Sequence, residues 1–88
     1  MNRPLVTDEE VESAIEMFRE MLSFRLKEKG QHTFASRHEI LGIIQAEMGE
    51  LVEAVEHEHS PQIVHELLDI AVGAVFGAAC INAKKVDW

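Results

Sequence analysis

Two pairs of carboxylates with the same spacing are the residues of this chain that could do chemistry. Glu47 and Glu50 are three residues apart, and so are Glu66 and Asp69. An advance of about 100° per residue places Glu47 inside the apolar stripe of an amphipathic helix and Glu50 at the edge of that stripe. Carboxylates are almost never fully buried unless they are paired or coordinate a metal. The two pairs therefore predict a metal site in the core of a helical bundle.

The oxygen ligands indicate which metal such a site would hold. Four carboxylates at close range cannot all stay ionised without a counter-charge. Because every ligand is an oxygen, we expect Mg2+, with Mn2+ as an alternative, rather than zinc. Mg2+ in proteins usually keeps several waters and also binds the phosphate oxygens of a substrate. This chemistry suits a phosphate ester or anhydride.

A simpler interpretation of the acids has to be weighed against the metal site. The chain has 16 Asp and Glu residues, so some ExxE spacings arise by chance, and most of these lie on solvated helix faces. Glu53 and Glu56 are one such pair. Two pairs on neighbouring helices, one of them with an acid inside the apolar stripe, favour the metal site.

Three helices with clear start and end signals are predicted to position the acids. Thr7 and Glu10 form a capping box at the start of the first helix. This helix should run to about Lys29, where Gly30 is a good left-handed C-cap. No run of alternating or β-branched residues predicts a strand.

The second and third helices are predicted to carry one acid pair each. Ser36 and Glu39 form a second capping box, which opens a helix that should reach about His57. Ser60 then caps a third helix, ending near residue 83, with Pro61 at its first position, where a missing N–H costs nothing. Since the link between these helices is short, they should pack antiparallel. This arrangement brings the two acid pairs close to the same level.

The third helix is apolar on every side after Leu68, and this predicts self-association. Such a helix is surrounded by protein on all faces, and two partner helices of this size cannot surround it. We therefore expect an all-α chain of three helices that forms a homodimer or homotetramer with a four-helix-type bundle. Gly73 and Gly77 either allow a close helix–helix approach or are simply small core residues.

The composition limits the classes of protein to which the chain belongs. The 88 residues are predicted to form one domain over 1–88. The net charge of −8 argues against nucleic-acid and anionic-membrane partners, because phosphate groups bind clustered Lys and Arg. The N-terminus lacks the apolar stretch of a signal peptide. The longest apolar run, Ile70–Ile81, is shorter than the span of about 20 residues that a bilayer needs. With Cys80 as its single cysteine, the chain fits a reducing compartment, and we expect a cytoplasmic protein.

The two acid pairs and their surroundings resemble a known family signature. The segment EMGELVEAV followed by HELLDIAV resembles the ExxE, short spacer and ExxD of the all-α nucleoside triphosphate pyrophosphatases, the MazG-like group. The preceding FASRHEILGII is similar to the start of the same helix in short members of that group. The resemblance covers about residues 34–81.

This resemblance implies an activity and a set of site residues. In that family the four acids bind Mg2+, and the enzyme cleaves a nucleoside triphosphate between its α- and β-phosphates to give a monophosphate and pyrophosphate, which can clear noncanonical nucleotides. Carried over, the metal ligands would be Glu47, Glu50, Glu66 and Asp69. Glu50, at the edge of the stripe, is also the candidate to accept a proton from the attacking water.

Several residues outside the acid pairs are candidates for contact with the nucleotide. Arg25 and Lys29 end the apolar stripe of the first helix and could hold phosphate, or they could reach out to water or complement the helix dipole. His38, in the first turn of the second helix, has either a structural role or contact with the substrate. Phe34 and Trp88 could stack on a base; the alternatives are packing for Phe34 and a loose terminus for Trp88.

Two rival functions remain open at this point. Phosphoribosyl-ATP pyrophosphatases share the fold and similar acidic motifs, so a panel of substrates has to separate the two activities. The other rival is a non-catalytic helical interaction module whose acids are structural or bind metal without turnover. A transition-metal site at His57, His59 and His65 is a weaker alternative, and we expect these to be surface histidines.

Overall fold

The computed structural model describes residues 2–87, which form three α-helices and contain no β-strand. The helices are α1 (Asp8–Lys29), α2 (Arg37–Glu56) and α3 (Ser60–Asn82). The predicted all-α chain of three helices is therefore confirmed, and the helix ends lie close to those that the capping signals indicate.

Local hydrogen bonds fix both ends of α1. The N–H of Glu10 donates to Thr7 Oγ1 at 3.1 Å, and the N–H of Thr7 donates to Glu10 Oε1 at 2.9 Å, so the predicted capping box is present. At the other end, the N–H of Gly30 donates to the Leu26 carbonyl at 2.9 Å, with φ 80° and ψ −173°. This backbone conformation is essentially restricted to glycine. It differs from the left-handed helical conformation that we predicted.

The starts of α2 and α3 differ in detail from the predicted caps. Ser36 Oγ accepts from the N–H of Glu39 at 3.1 Å, but the Glu39 carboxylate accepts from the N–H of Ala35 at 2.8 Å rather than from Ser36. Only half of the predicted box is therefore present. In α3, Ser60 is the first helical residue and His59 is the N-cap, without a side-chain capping bond. The prediction of Ser60 as the cap is wrong by one residue.

Helices α2 and α3 pack antiparallel along a seam that contains two glycines of α3. A methyl group of Ile40 lies against Gly77, and a methyl group of Ile44 lies against Gly73, so residue numbers rise along one helix as they fall along the other. A Cβ atom at Gly77 would lie 2.9 Å from Ile40 Cγ2. The close approach of the two helices at this point therefore depends on glycine.

Replacement of Gly77 by alanine is expected to destabilise the protein. Alanine favours a helix over glycine by about 1 kcal/mol, but here its methyl group meets the stiff, β-branched Ile40. We expect Gly77→Ala to lower the free energy of unfolding by about 1–3 kcal/mol, as overpacking usually does. Gly42→Ala is the control, because no atom lies within 4 Å of its Cβ position, and it should be stabilising by up to about 1 kcal/mol. Urea unfolding measures both, and equal stabilisation by the two variants would contradict the seam.

The single chain leaves much of its apolar surface uncovered. Its radius of gyration is 15.0 Å and its extents are 50 × 28 × 27 Å, whereas a compact domain of this length has a radius of gyration of about 12 Å. Helix α1 packs against α3 and not against α2 within residues 2–87. In the same residues, Ala54 and Cys80 are the only hydrophobic side chains classed as buried. The exposed apolar side chains of α2 and α3 are Leu41, Met48, Val52, Val55, Val64, Leu67, Val75 and Ile81.

Helix α3 is not surrounded by protein within one chain. Leu67 and Val75 are 51% and 46% exposed, so one side of the helix faces away from α1 and α2. By length and composition alone, α3 is also apolar enough to cross a membrane, a test that the core helices of soluble proteins pass as well. The acids Glu66 and Asp69 lie in the first half of this helix.

Candidate functional site

Glu47 lies at the α2–α3 seam, where the apolar pattern of α2 places it. Its side chain is half-buried, and its Oε1 lies 3.6 Å from the position that a Cβ atom would take at Gly73. Burial is the largest cause that raises the pKa of Glu47, followed by the negative charges of Asp69 and Glu50. The positive charge of Lys29, at the end of α1, opposes this shift.

Glu66 is the most buried acid of the described residues, with 6% of its surface exposed. Its Oε1 accepts a short hydrogen bond from the Gln62 amide, one turn earlier in α3. Its Oε2 is buried and has no hydrogen-bond partner among residues 2–87. A buried acceptor without a partner carries the full cost of losing its water, so this oxygen is suited to bind a cation or a donor from outside the chain.

Glu50 faces Glu66 across the seam. Contact with the Glu66 carboxyl group is the largest cause that raises the pKa of Glu50, and the negative charge of Glu66 is the next. Two carboxylates this close repel each other, and a cation between them would relieve that repulsion. Glu50 itself is exposed, so water reaches its carboxyl group.

Asp69 is held by a cation of α1. Arg25 Nη2 donates to Asp69 Oδ1 at 3.1 Å and to Oδ2 at 3.4 Å, and Arg25 Nε donates to Oδ1 at 3.3 Å. His65 Nε2 lies 3.3 Å from Oδ2 of the same carboxylate. The hydrogen bonds to Asp69 raise the pKa of Arg25, so the guanidinium stays charged. From the sequence, Arg25 was a candidate to hold phosphate, with a side chain that reaches water or complements the helix dipole as the alternatives. In the structure it contacts one of the predicted metal ligands.

The four acids share one region but do not form a ready-made metal cage. Within residues 2–87, no group of three or more His, Cys, Asp or Glu side chains is arranged to hold a metal ion. Glu50 and Glu66 line one cavity, near the α2–α3 link, and Asp69 lines another, between α1 and α3. The charges still act across the seam, since Asp69, Glu50 and Glu66 all raise the pKa of Glu47. A shared ion would need side-chain rotations that bring the two pairs together.

A cleft of about 230 Å3 lies beside Asp69, between α1, the α1–α2 loop and α3. The cations Arg25 and Lys29 line it together with His32. Its apolar wall includes Phe34 and Phe76, whose rings meet edge to face with centroids 5.4 Å apart. The cleft therefore combines cationic side chains with an apolar, aromatic surface.

The remaining predicted residues lie apart from this cleft. His38 is exposed in the first turn of α2 and does not line it. The three histidines near the link are exposed as expected, although His57 and His59 line the cavity of about 310 Å3 that contains Glu50 and Glu66. Trp88 lies outside the described residues.

Sequence reasoning did not identify Gln62 and Phe76 as residues of the site. Both follow from helical spacing. Gln62 lies four residues before Glu66, and Phe76 lies seven residues after Asp69, so each shares a helix face with an acid of α3. Phe76 lies within the apolar run Ile70–Ile81, where an aromatic residue carries no signal of a functional role.

The raised pKa values of Glu47 and Glu50 predict how the stability of the metal-free protein depends on pH. A carboxyl group whose pKa is raised by folding binds its proton more tightly in the folded state, so it favours the folded state below its ordinary pKa of 4.5. This contribution is lost as pH rises through the raised value. We therefore expect the contribution of these two groups to the free energy of unfolding, measured in the presence of EDTA, to fall as pH rises above 4.5. Glu47→Gln should flatten this dependence, and a profile that is unchanged in the variant would contradict the assignment.

Comparison of this chain with protein-family models, curated proteins and solved structures found no match.

Proposed function

We propose that this chain is a Mg2+-dependent nucleoside triphosphate pyrophosphohydrolase. The observation that supports it most is the buried Glu66 carboxylate, whose Oε2 has no partner and which faces a second carboxyl group, Glu50, across the helix seam. A cation between two acids held in this way would neutralise their mutual repulsion. The arginine, lysine and aromatic rings of the neighbouring cleft are suited to a phosphorylated substrate with an apolar part.

The acids would bind the metal, and one of them would also accept a proton. The predicted ligands of Mg2+ are Glu47, Glu50, Glu66 and Asp69, and all of them supply the oxygen donors that this ion prefers. When bound, Mg2+ neutralises polyphosphate charge and orients the scissile bond. Glu50 is exposed at the edge of the seam, and its raised pKa brings it nearer to the range of a general base. It would accept a proton from the attacking water.

The cleft would hold the nucleotide so that its phosphates lie beside the acids. Arg25 and Lys29 would bind phosphate oxygens, for which the planar guanidinium is especially suited. Water would add to phosphorus, the anhydride P–O bond between the α- and β-phosphates would break, and the products would be a nucleoside monophosphate, pyrophosphate and a proton. The ring pair of Phe34 and Phe76 would offer its apolar surface to the nucleoside.

We also propose that a second copy of the chain covers the exposed apolar side of α2 and α3. In one chain the exposed side chains include Leu41, Met48, Val52, Leu67 and Val75, and a patch of this kind marks an interaction surface. A homodimer would enlarge the core of a chain that alone buries very little, and a pair of dimers would give the tetramer. The proposed location is the cytoplasm.

The proposed activity is tested with a panel of nucleotides. Purified protein is incubated with the common and modified ribo- and deoxyribonucleoside triphosphates and with phosphoribosyl-ATP, and pyrophosphate is assayed with Mg2+ and with EDTA. We expect pyrophosphate release that requires Mg2+. Light scattering and circular dichroism confirm that the sample is oligomeric and helical. A folded oligomer that releases pyrophosphate from none of these substrates contradicts the proposal.

A non-catalytic interaction module is the second candidate. The exposed apolar side of α2 and α3 favours it, as does the separation of the acids into two cavities. In a module whose acids are structural, the stability of the protein would not respond to Mg2+. A module that binds metal without turnover would respond to Mg2+ but release no pyrophosphate.

A further inference from the structure

Arg25 forms an ion pair with Asp69, one of the ligands of the proposed metal site. It makes three contacts of 3.1–3.4 Å with Asp69 through Nε and Nη2, and these contacts involve both carboxylate oxygens. The side chains are only 25% and 15% exposed, so solvent screens the pair weakly. Oδ2 is further engaged by His65 Nε2 at 3.3 Å. In this arrangement the Arg25 guanidinium contacts both oxygens of Asp69, and His65 contacts one of them.

A divalent ion that binds Asp69 competes with this ion pair. A ligand oxygen lies about 2.1 Å from Mg2+, and a guanidinium held within hydrogen-bond distance of the same carboxylate would be repelled by the ion. Binding of a metal ion at Asp69 would weaken the contact with Arg25. Without a metal, the Arg25 guanidinium balances the charge of this carboxylate.

Arg25 has a second partner that keeps it beside the cleft when it leaves Asp69. Its Nη1 lies 3.1 Å from Oε1 of Glu28, one turn further along α1. Arg25 also lines the cleft that contains Lys29 and the two phenylalanine rings. A guanidinium anchored on Glu28 and released from Asp69 has free N–H groups on the side of this cleft.

We propose that Arg25 is an exchangeable counter-ion: it neutralises Asp69 in the metal-free protein, and the divalent ion displaces it toward the phosphates of the substrate. This inference rests on the proposed metal site. In this proposal the metal binds before the phosphate, and Arg25 couples the two binding events. Because linkage is reciprocal, a phosphate that holds Arg25 in the cleft also strengthens metal binding.

The exchange is tested first on the unmodified protein by NMR. The side-chain Nε–H signal of Arg25, assigned by its absence from Arg25→Lys, should exchange slowly with water while it is bonded to Asp69. Saturating Mg2+ should shift this signal and speed its exchange. If Mg2+ shifts the backbone signals of the four acids but leaves the Arg25 Nε–H unchanged, the exchange is wrong and the metal site stands. If Mg2+ shifts no signal at all, both proposals are wrong.

Mn2+ affinity gives a second, independent measurement. Calorimetric titration of Arg25→Gln should show Mn2+ binding about tenfold tighter than in the unmodified protein, equivalent to about 1.4 kcal/mol, because the ion no longer competes with the guanidinium. Lys29→Gln is the matched control, since it removes a neighbouring positive charge that acts on Glu47 but that makes no ion pair with the acids among residues 2–87. An equal gain in the control, or no gain in Arg25→Gln, would show that there is no exchange at Asp69.

Discussion

Glu66→Gln is expected to abolish Mg2+-dependent pyrophosphate release and, at the same time, to stabilise the metal-free protein. Glu66 Oε2 has no hydrogen-bond partner although it is buried, and it faces the Glu50 carboxyl group. The amide of glutamine has the same shape but carries donors in place of one oxygen. It would donate to Glu50 and still accept from Gln62, so that both ends of the side chain are satisfied.

The two effects have different sizes and separate measurements. Removing the penalty of one buried, unsatisfied acceptor should raise the free energy of unfolding by about 1–3 kcal/mol, measured by urea unfolding with EDTA. Pyrophosphate release should fall by about 100-fold or more, the usual loss when one electrostatic stabiliser is removed from a site. A gain in stability combined with a loss of function is typical of a residue that serves binding rather than packing.

Glu53→Gln is the matched control for this variant. Glu53 lies on the turn of α2 that follows Glu50 and lines the same cavity near the link, and it is exposed. Its replacement removes the same charge from the same region without changing the pair across the seam, so stability and pyrophosphate release should change little. If the two variants behave alike, Glu66 acts only through the net charge of the cavity. If Glu66→Gln retains full activity, it is not a ligand of the metal.

The helices were predictable because their signals are local. The capping box of Thr7 and Glu10 needs only residues three apart, and the glycine after α1 ends the helix whichever of its permitted conformations it takes. The α3 cap was misplaced by one residue, because His59, Ser60 and Pro61 offer several competing starts and only the packing of α2 on α3 selects one. The antiparallel seam also followed from the sequence, since a short link leaves the two helices no other close arrangement.

The contacts of the site depended on information that is not local. The helical wheel put Glu47 on the seam, but no pattern in α3 alone shows that the Glu66 carboxylate is buried with one oxygen unpaired. The position of α1 is the clearest case. Arg25 and Asp69 are 44 residues apart, and a stripe of apolar residues does not specify how far a helix is shifted along its neighbour. The sequence therefore showed that Arg25 is a charge at the end of the apolar stripe of α1, but it did not show that Asp69 is its partner.

Glu47→Gln and Asp69→Asn are expected to change the stability of the metal-free protein in opposite directions. Without the structure, both substitutions relieve repulsion among acids and both should stabilise. Burial and the charges of neighbouring acids do raise the pKa of Glu47, so its neutral form should gain about 0.5–1 kcal/mol, the scale of a partly screened charge interaction. Asp69 instead balances Arg25, and Asp69→Asn leaves that guanidinium without its main partner. We expect a loss of about 1–3 kcal/mol, as for a partly buried ion pair that loses one member.

Addition of Mg2+ then separates a metal site from an interaction module. A ligand that binds the folded state alone stabilises it by about 2.7 kcal/mol at 100 times its Kd, so saturating Mg2+ should raise the melting temperature of the unmodified protein. Both variants lose an oxygen ligand, and we expect most of this increase to disappear in each, although their metal-free stabilities lie on opposite sides of the unmodified value. Glu56→Gln, an exposed change in the last turn of α2, should keep the full response. If Mg2+ does not change the melting temperature of the unmodified protein or of any variant, the result would instead favour the interaction module. Sodium chloride at equal ionic strength is the control, because acids that serve only packing or solubility respond to ionic strength and not to a divalent ion in particular.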